Sequence, residues 1–219
     1  MSNLLDYPLI VFILSFFILS ISVVIGGLFR RGRDHDQSKR EHYGLILAAT
    51  LTLLGLIIGF SFSMAINRYD QRKNYEEAEA NAIGTEYVRA DLLPGAEAEK
   101  IHTLLGKYLK QRILFYTTHD KKILQQANAT TTQLQDELWA VVKNSAESRP
   151  APIIALVASG MNDVLNSQGY TQAAWWNRIP FAAWALNIMI AICSSLLVGY
   201  GMRDLKAEVI MVFILPLVI

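Results

Sequence analysis

The sequence predicts an all-α membrane protein with four transmembrane helices in two hairpins and a helical extramembrane domain between spans two and three. Charge-free apolar blocks alternate with polar segments, and each complete block is about as long as a helix that crosses a bilayer. The polar region between the second and third blocks has helical periodicity, and strand signals are scarce. Hydrophobic residues make up 53% of the 219 residues, above the roughly 45–50% of soluble domains.

The first three blocks run from about Leu9 to Phe29, from Gly44 to Ile66 and from Ile179 to Met202. None contains Asp, Glu, Lys, Arg or His, and roughly 20 helical residues are enough to cross a hydrocarbon core. We therefore predict a span in each block. No basic side chain precedes the first block and no small-residue cleavage site follows it, so it is predicted to be a retained anchor.

A fourth block begins at Val209 and is still apolar at Ile219, after about half the length that a span needs. We expect the natural chain to continue beyond this point. The predicted organisation is a first transmembrane hairpin over 1–66, a helical extramembrane domain over 67–178, and a second transmembrane hairpin over 179–219 whose last span is incomplete.

Within 67–178, the second span is predicted to continue as a long helix to about Leu92, because neither Gly nor Pro occurs between Phe60 and Ala82. Pro94–Gly95 predicts a turn. Further helices are predicted over Ala96–Tyr116, Lys122–Asn144 and Ile153–Leu165. The last of these is too short to span a membrane, so we expect it to pack on the domain.

The sequence carries no pattern that predicts catalysis, and we predict neither an enzyme nor a cofactor. The histidines lack partners at the spacing of a helical metal site, and no glycine-rich phosphate loop occurs. The carboxylates Glu76, Glu77, Glu79 and Glu86 share a helix with Arg72, Lys73 and Arg89, which predicts ion pairs on a solvated face. A net charge of +1 argues against nucleic-acid binding, which needs a concentrated basic surface.

The charge-free spans disfavour an ion-coupled pump and leave a passive conduit, because apolar rings can gate a pore by dewetting. In span two, Thr52, Leu56, Phe60 and Met64 form one stripe at i, i+4 spacing, flanked by small residues such as Gly55 and Gly59 that would let helices approach closely. The alternative is ordinary helix packing within one subunit. Trp175 and Trp176 are predicted to be membrane-interface anchors, and Asn187 to bond a neighbouring helix or to line a pore.

The residues Gly59-Phe60, followed by Asn67-Arg68-Tyr69, resemble the second transmembrane helix of bestrophin anion channels. The wider stretch is similar to the bestrophin-like family of bacterial membrane proteins over most of the chain. It runs from Gly59-Phe60 through Glu79-Ala80-Asn81-Ala82-Ile83-Gly84-Thr85 to Arg89-Ala90-Asp91-Leu92-Leu93-Pro94.

The resemblance implies a multi-pass inner-membrane anion channel, conducting ions such as chloride, in which five identical subunits place their second helices around the pore. By position, the apolar neck would be Thr52, Leu56 and Phe60, with Met64 on the same stripe, and Thr52 would make its ring wider and wetter than a bulky apolar residue. Arg68 would attract anions at the pore exit, or else reach to lipid headgroups. No acidic cluster like the calcium clasp of animal bestrophins occurs, so calcium gating is not implied.

Two alternatives stay open at this stage. The basic residues between Arg30 and Arg40 favour a cytoplasmic loop there, which places the domain outside the cytoplasm, whereas the resemblance places it in the cytosol. The second alternative concerns function. A non-conducting membrane scaffold, whose helical domain binds a partner protein, would use the same spans without a pore.

Overall fold

The computed structural model describes residues 7–30 and 37–201, with side chains over 7–29 and 42–201, and every described element is helical. The elements are α1 (Pro8–Arg30), α2 (Gln37–Arg89), a single 3₁₀ turn (Ala90–Leu92), α3 (Gly95–Thr117), α4 (Lys121–Ser148), α5 (Pro152–Trp176) and α6 (Phe181–Gly201). The all-α prediction is confirmed for the described residues.

Three described segments are long and apolar enough to contain a membrane span: Pro8–Phe29, His42–Leu92 and Pro152–Gly201. The first is α1, the second covers most of α2, and the third covers α5 and α6. The charge-free part of each, in α1, the first half of α2 and α6, is where the sequence predicts spans one to three. The fourth span, predicted from Val209, lies outside the described residues. Four-span topology therefore stays a prediction.

The chain divides into two compact units, and each is built around its own core. The hairpin unit comprises the described parts of Met1–Ile66 and Ile179–Ile219, and the bundle unit comprises Asn67–Arg178. Helix α2 contains the boundary between them, and it is unbroken from Gln37 to Arg89, as the lack of Gly and Pro between Phe60 and Ala82 predicts.

In the hairpin unit, α1 and α6 approach closely through glycines. A Cβ atom on Gly26 would overlap the backbone of Leu196, and one on Gly199 would overlap the backbone of Val23. Contacts this short need residues without side chains, as is common between membrane helices. A small apolar cluster of Leu19, Leu54 and Ala191 adds a residue of α2 to this unit.

In the bundle unit, one apolar stripe from each of α3, α4 and α5 meets in a shared core. The buried side chains are Ile101, Leu104, Leu105 and Tyr108 from α3, Leu134, Leu138, Val141 and Val142 from α4, and Ile154, Val157, Met161 and Val164 from α5. Helix α4 begins at an Asp120 cap, whose Oδ1 accepts from the backbone N–H of Lys122 at 2.7 Å. Pro152 opens α5, where a missing N–H leaves no bond unmade.

Two details of the sequence prediction are wrong. Helix α5 does not end near Leu165 but continues to Trp176. Its apolar run stops there, but its buried stripe continues through Thr171 and Ala174, at helical spacing from Val164. The apolar periodicity of the sequence over Ala96–Tyr116 also predicts a buried Leu109, but this residue is exposed, because it lies a further 100° around the helix from Tyr108.

Candidate functional site

The predicted stripe of span two lies open on the surface of the hairpin unit. The side chains of Leu56, Phe60 and Met64 are 54%, 61% and 41% exposed, and Thr52 is exposed as well. The Thr52 hydroxyl donates to the carbonyl of Ala48 at 2.8 Å. The hydroxyl proton of Thr52 is therefore engaged within its own helix, and towards the outside the hydroxyl oxygen can only accept hydrogen bonds.

The opposite side of span two contacts the rest of the hairpin unit. Leu54 is buried against Leu19 and Ala191, and residues two apart on a helix point about 200° from each other, so Leu54 faces away from Leu56. The Asn187 amide on α6 donates to the Ser61 hydroxyl at 2.9 Å. This contact confirms that Asn187 bonds a neighbouring helix.

The glycines of α2 make no close contact with the described residues, so the approach of a neighbouring helix at Gly55 and Gly59 stays a prediction. A Cβ atom on Gly55, Gly59 or Gly84 would meet no described atom within 4 Å. The close approach occurs instead at Gly26 and Gly199, on α1 and α6. Small residues permit close packing of helices, but the sequence does not show which helix packs against them or which glycines make such a contact.

At the start of the bundle unit, Arg68 binds the end of α5. Its Nη1 donates to the carbonyl oxygen of Asn177 at 2.7 Å and also to the side-chain oxygen of that residue. A cation is favoured at a helix C-terminus, where carbonyls lack partners and the helix dipole is negative. Sixteen residues on an ideal helix correspond to a rotation of about 160°, so Arg68 does not point to the same side as Thr52.

Arg72 follows one turn later and is also anchored to α5. Its Nε donates to the carbonyl of Ala174 at 3.1 Å, and its guanidinium lies 5.2 Å from the ring centre of Trp175. Burial lowers the pKa of Arg72, and the positive charges of Arg178 and Arg68 lower it further. The three arginines therefore form one positively charged cluster, and no ion pair joins any of them to a described carboxylate within 4.0 Å.

The two tryptophans predicted to be interface anchors have different surroundings. Trp175 packs edge-on against Phe115, with ring centres 6.0 Å apart, and also supports Arg72. Trp176 is 73% exposed. Trp175 thus contributes to bundle packing, whereas Trp176 is free to meet an interface.

Two carboxylates that the sequence assigned to a solvated face are buried, and that interpretation is wrong. Glu79 is 1% exposed and accepts hydrogen bonds from Nε and Nη2 of Arg112, the second at 3.2 Å. The Tyr116 hydroxyl donates to the same carboxylate at 2.6 Å. Burial lowers the pKa of Arg112, but the hydrogen bond and charge of Glu79 outweigh that effect and raise it.

Glu86 is fully buried, and neither of its carboxylate oxygens has a hydrogen-bond partner among the described residues. It lies opposite Gly160 of α5, where a Cβ atom would overlap both the Glu86 carboxylate and the Arg89 guanidinium. Burial raises the pKa of Glu86 from 4.5 to about 7; Arg89 opposes this shift and Asp163 adds to it. Glu86 therefore titrates near neutral pH in the folded bundle.

A signal for both buried carboxylates is present in the sequence. Glu79, Ile83, Glu86 and Ala90 recur at spacings of four, three and four residues, which is one face of a helix. Arg112 also occupies a position in the apolar stripe of α3. Charged residues at core positions of two helices indicate a buried pair, but which charges meet depends on tertiary packing. Among the described residues, no three His, Cys, Asp or Glu side chains are placed to hold a metal ion.

Charge-free helices of bilayer length, joined to a helical bundle, define an all-helical membrane protein. The model of one family, described as the bestrophin-like domain, matches residues 13–219. The chain therefore belongs to the bestrophin-like family, as the resemblance in span two and its exit predicts. No curated protein and no solved structure matches the chain.

Proposed function

We propose that the protein is a passive, anion-conducting channel of the cell inner membrane, in which span two of each subunit lines the pore of a homo-oligomer. By family resemblance the oligomer is a pentamer and chloride is a permeant ion. The observation that carries the proposal is the exposure of the stripe formed by Thr52, Leu56, Phe60 and Met64.

Span two presents this stripe outward, where a neighbouring subunit can cover it, while Leu54 faces the hairpin unit. Gly55 and Gly59 meet no described side chain or backbone nearby, which leaves room for helices of neighbouring subunits. These features support an interface between copies of α2 around a shared axis.

The chemistry of the stripe suits a passive gate. Rings of Leu56 and Phe60 would exclude water from a narrow neck, and a ring of Thr52 would hold water through its oxygen. No ionisable group lies between Gly44 and Ile66 to relay protons or couple ions. The arginine cluster of Arg68, Arg72 and Arg178 would raise the local anion concentration through its field.

Current recording tests the proposal. The full chain is reconstituted in planar bilayers under a chloride gradient, and we expect a current that reverses near the chloride potential. Phe60→Ala should increase the conductance by widening the neck. Phe62→Ala is the matched control, because Phe62 is 66% exposed but points about 200° away from Phe60. Absence of current, or equal effects of both variants, contradicts the proposal.

Disulfide cross-linking tests the geometry independently of conduction. The chain has one cysteine, Cys193, which is exposed and is first replaced by Ala. A Phe60→Cys variant should then form covalent dimers in the membrane, because rings of identical residues meet around the axis, whereas Phe62→Cys should form fewer. A scaffold that keeps α2 away from other copies would give no difference between the two variants.

A further inference from the structure

Helix α2 carries a groove directly after span two, within the bundle unit. The groove has a volume of about 570 Å³, and its lining includes Tyr69, Arg72, Lys73, Glu76, Glu77 and Trp175. Its first residue, Tyr69, is the third residue after the last residue of span two, Ile66. Because one helical residue rises about 1.5 Å, the groove begins within a few ångströms of the hydrocarbon boundary of that span.

The charges in the groove are ordered along the helix. The cations Arg72 and Lys73 come first, and the carboxylates Glu76 and Glu77 follow one turn later, about 6 Å further from span two. Side chains on a helix lean towards its N-terminus, which brings both basic groups back towards the membrane surface. Positive charge therefore lies nearer the bilayer, and negative charge lies further out.

These opposite charges do not neutralise each other as i, i+4 pairs. Among the described residues, no carboxylate oxygen lies within 4.0 Å of a basic nitrogen of Arg72 or Lys73. The order, with the basic residue before the acidic one, is the weaker arrangement for such pairs. The Nε of Arg72 donates to the Ala174 carbonyl, and the guanidinium lies over the ring of Trp175. The two Nη groups of Arg72 are left to bind a ligand.

We propose that this groove binds the headgroup of a membrane phospholipid that carries both a phosphate and a primary ammonium, such as phosphatidylethanolamine. The phosphate binds Arg72 and Lys73, since guanidinium forms paired hydrogen bonds with phosphate oxygens. The ammonium, one ethylene bridge further from the glycerol, faces Glu76 and Glu77. Tyr69 and Trp175 flank the headgroup at the depth where interfacial aromatic residues occur.

The charge pattern discriminates between headgroups. An anionic headgroup without an ammonium would satisfy Arg72 and Lys73 but place hydroxyls beside two carboxylates that gain no counter-charge. A choline headgroup would supply positive charge, but its methyl groups cannot donate hydrogen bonds to carboxylate oxygens. Phosphatidylethanolamine satisfies both ends. The proposal is independent of whether the protein conducts ions.

Native mass spectrometry of the full chain in detergent, titrated with phospholipids of matched acyl chains, tests the site. We expect phosphatidylethanolamine to be retained in preference to phosphatidylglycerol and phosphatidylcholine. Lys73→Gln should weaken retention of all three about fivefold, the ratio expected for one basic residue at a membrane surface. Glu76→Gln/Glu77→Gln should shift the preference from phosphatidylethanolamine to phosphatidylglycerol.

Controls separate a built site from general charge effects. Lys107→Gln removes an exposed lysine of α3 away from the groove and should change nothing. Arg72→Lys keeps the charge but loses the paired hydrogen bonds to the phosphate, and it should weaken retention of all three lipids. Equal losses in the Lys107→Gln and Lys73→Gln variants, or no preference in the unaltered protein, would overturn the proposal.

A soluble phosphate ligand is distinguished by competition. Inorganic phosphate and free phosphoethanolamine are added separately to the lipid-bound protein. We expect neither to displace the lipid at millimolar concentration, because the acyl chains add to the headgroup affinity. Displacement by inorganic phosphate would overturn the assignment to a lipid.

Discussion

Arg112 of α3 and Glu79 of α2 form a salt bridge that is buried in the bundle unit, although the two residues are 33 positions apart in the sequence. The Tyr116 hydroxyl donates a further hydrogen bond to the Glu79 carboxylate, and the Arg112 guanidinium lies 4.4 Å from the ring centre of Phe115. A buried charge pair is weak evidence for a large net stabilisation, but removing one partner leaves the other charge without compensation.

Glu79→Leu should therefore destabilise the protein by about 3–5 kcal/mol. Thermal unfolding of the full chain in detergent, followed by circular dichroism, measures the loss. Lys143→Gln is the control, because Lys143 pairs with Glu147 on an exposed face at 3.7 Å, and such pairs contribute about 0–1 kcal/mol. Adding Arg112→Met to Glu79→Leu should restore part of the stability. No recovery in the double variant would argue that the side chains act separately.

Glu86 should make the stability of the bundle depend on pH. Its pKa is raised from 4.5 to about 7 in the folded protein, so the folded state binds the proton more tightly than the unfolded chain does. The stabilisation is fully present below about pH 4.5 and is lost as the pH rises through about 7, by at most about 3 kcal/mol.

Melting temperatures of the full chain between pH 5 and pH 8 measure this effect. Glu86→Gln cannot titrate and should flatten the profile, while Glu99→Gln, at an exposed position of α3, should leave it unchanged. The charge of Asp163 raises the pKa of Glu86, whereas that of Arg89 lowers it. Asp163→Asn should therefore move the midpoint of the pH profile to a lower pH. A profile that rises with pH would contradict the burial of Glu86.

A larger residue at Gly160 should destabilise the protein, because it would displace the ends of the Glu86 and Arg89 side chains. A methyl group there would overlap the Glu86 carboxylate and the Arg89 guanidinium, so Gly160→Ala should cost about 1–3 kcal/mol of stability. Gly169 lies on the same helix with no described atom within 4 Å of an added Cβ. Gly169→Ala should instead stabilise α5 by about 0.5–1 kcal/mol. Opposite shifts in melting temperature are the expected result, and shifts of the same sign would contradict it.

The contact of α1 with α6 should depend on its two glycines. Gly199→Ala would force a methyl group into the backbone of Val23, and Gly26→Ala would do the same at Leu196. Each should lower the free energy of unfolding by about 1–3 kcal/mol. The measurement is the melting temperature of the full chain in detergent, which should fall. Gly55→Ala, with no described atom within 4 Å of an added Cβ, should leave the isolated subunit at least as stable as before. A loss of oligomer in this last variant, without a loss of stability, would locate an interface between copies at α2.

Local sequence features predicted most of the helices. Charge-free runs, helical periodicity and the turn at Pro94–Gly95 depend only on neighbouring residues, so α1, α3, α4 and α6 were predicted to within a few residues. The length of α5 was not, because its apolar run ends before the helix does. The resemblance in span two predicted the family as well.

The burial of particular residues was decided only by tertiary structure. Glu79 and Glu86 occupy core positions because Arg112 and Gly160, far along the chain, provide a partner and a space for them. In the same way, α6 closes on α1 at Gly26 and Gly199 and leaves the stripe from Thr52 to Met64 uncovered. A sequence specifies which faces of a helix are apolar, small or charged by local periodicity, but which faces meet depends on contacts between distant segments, and these exist only in the folded chain.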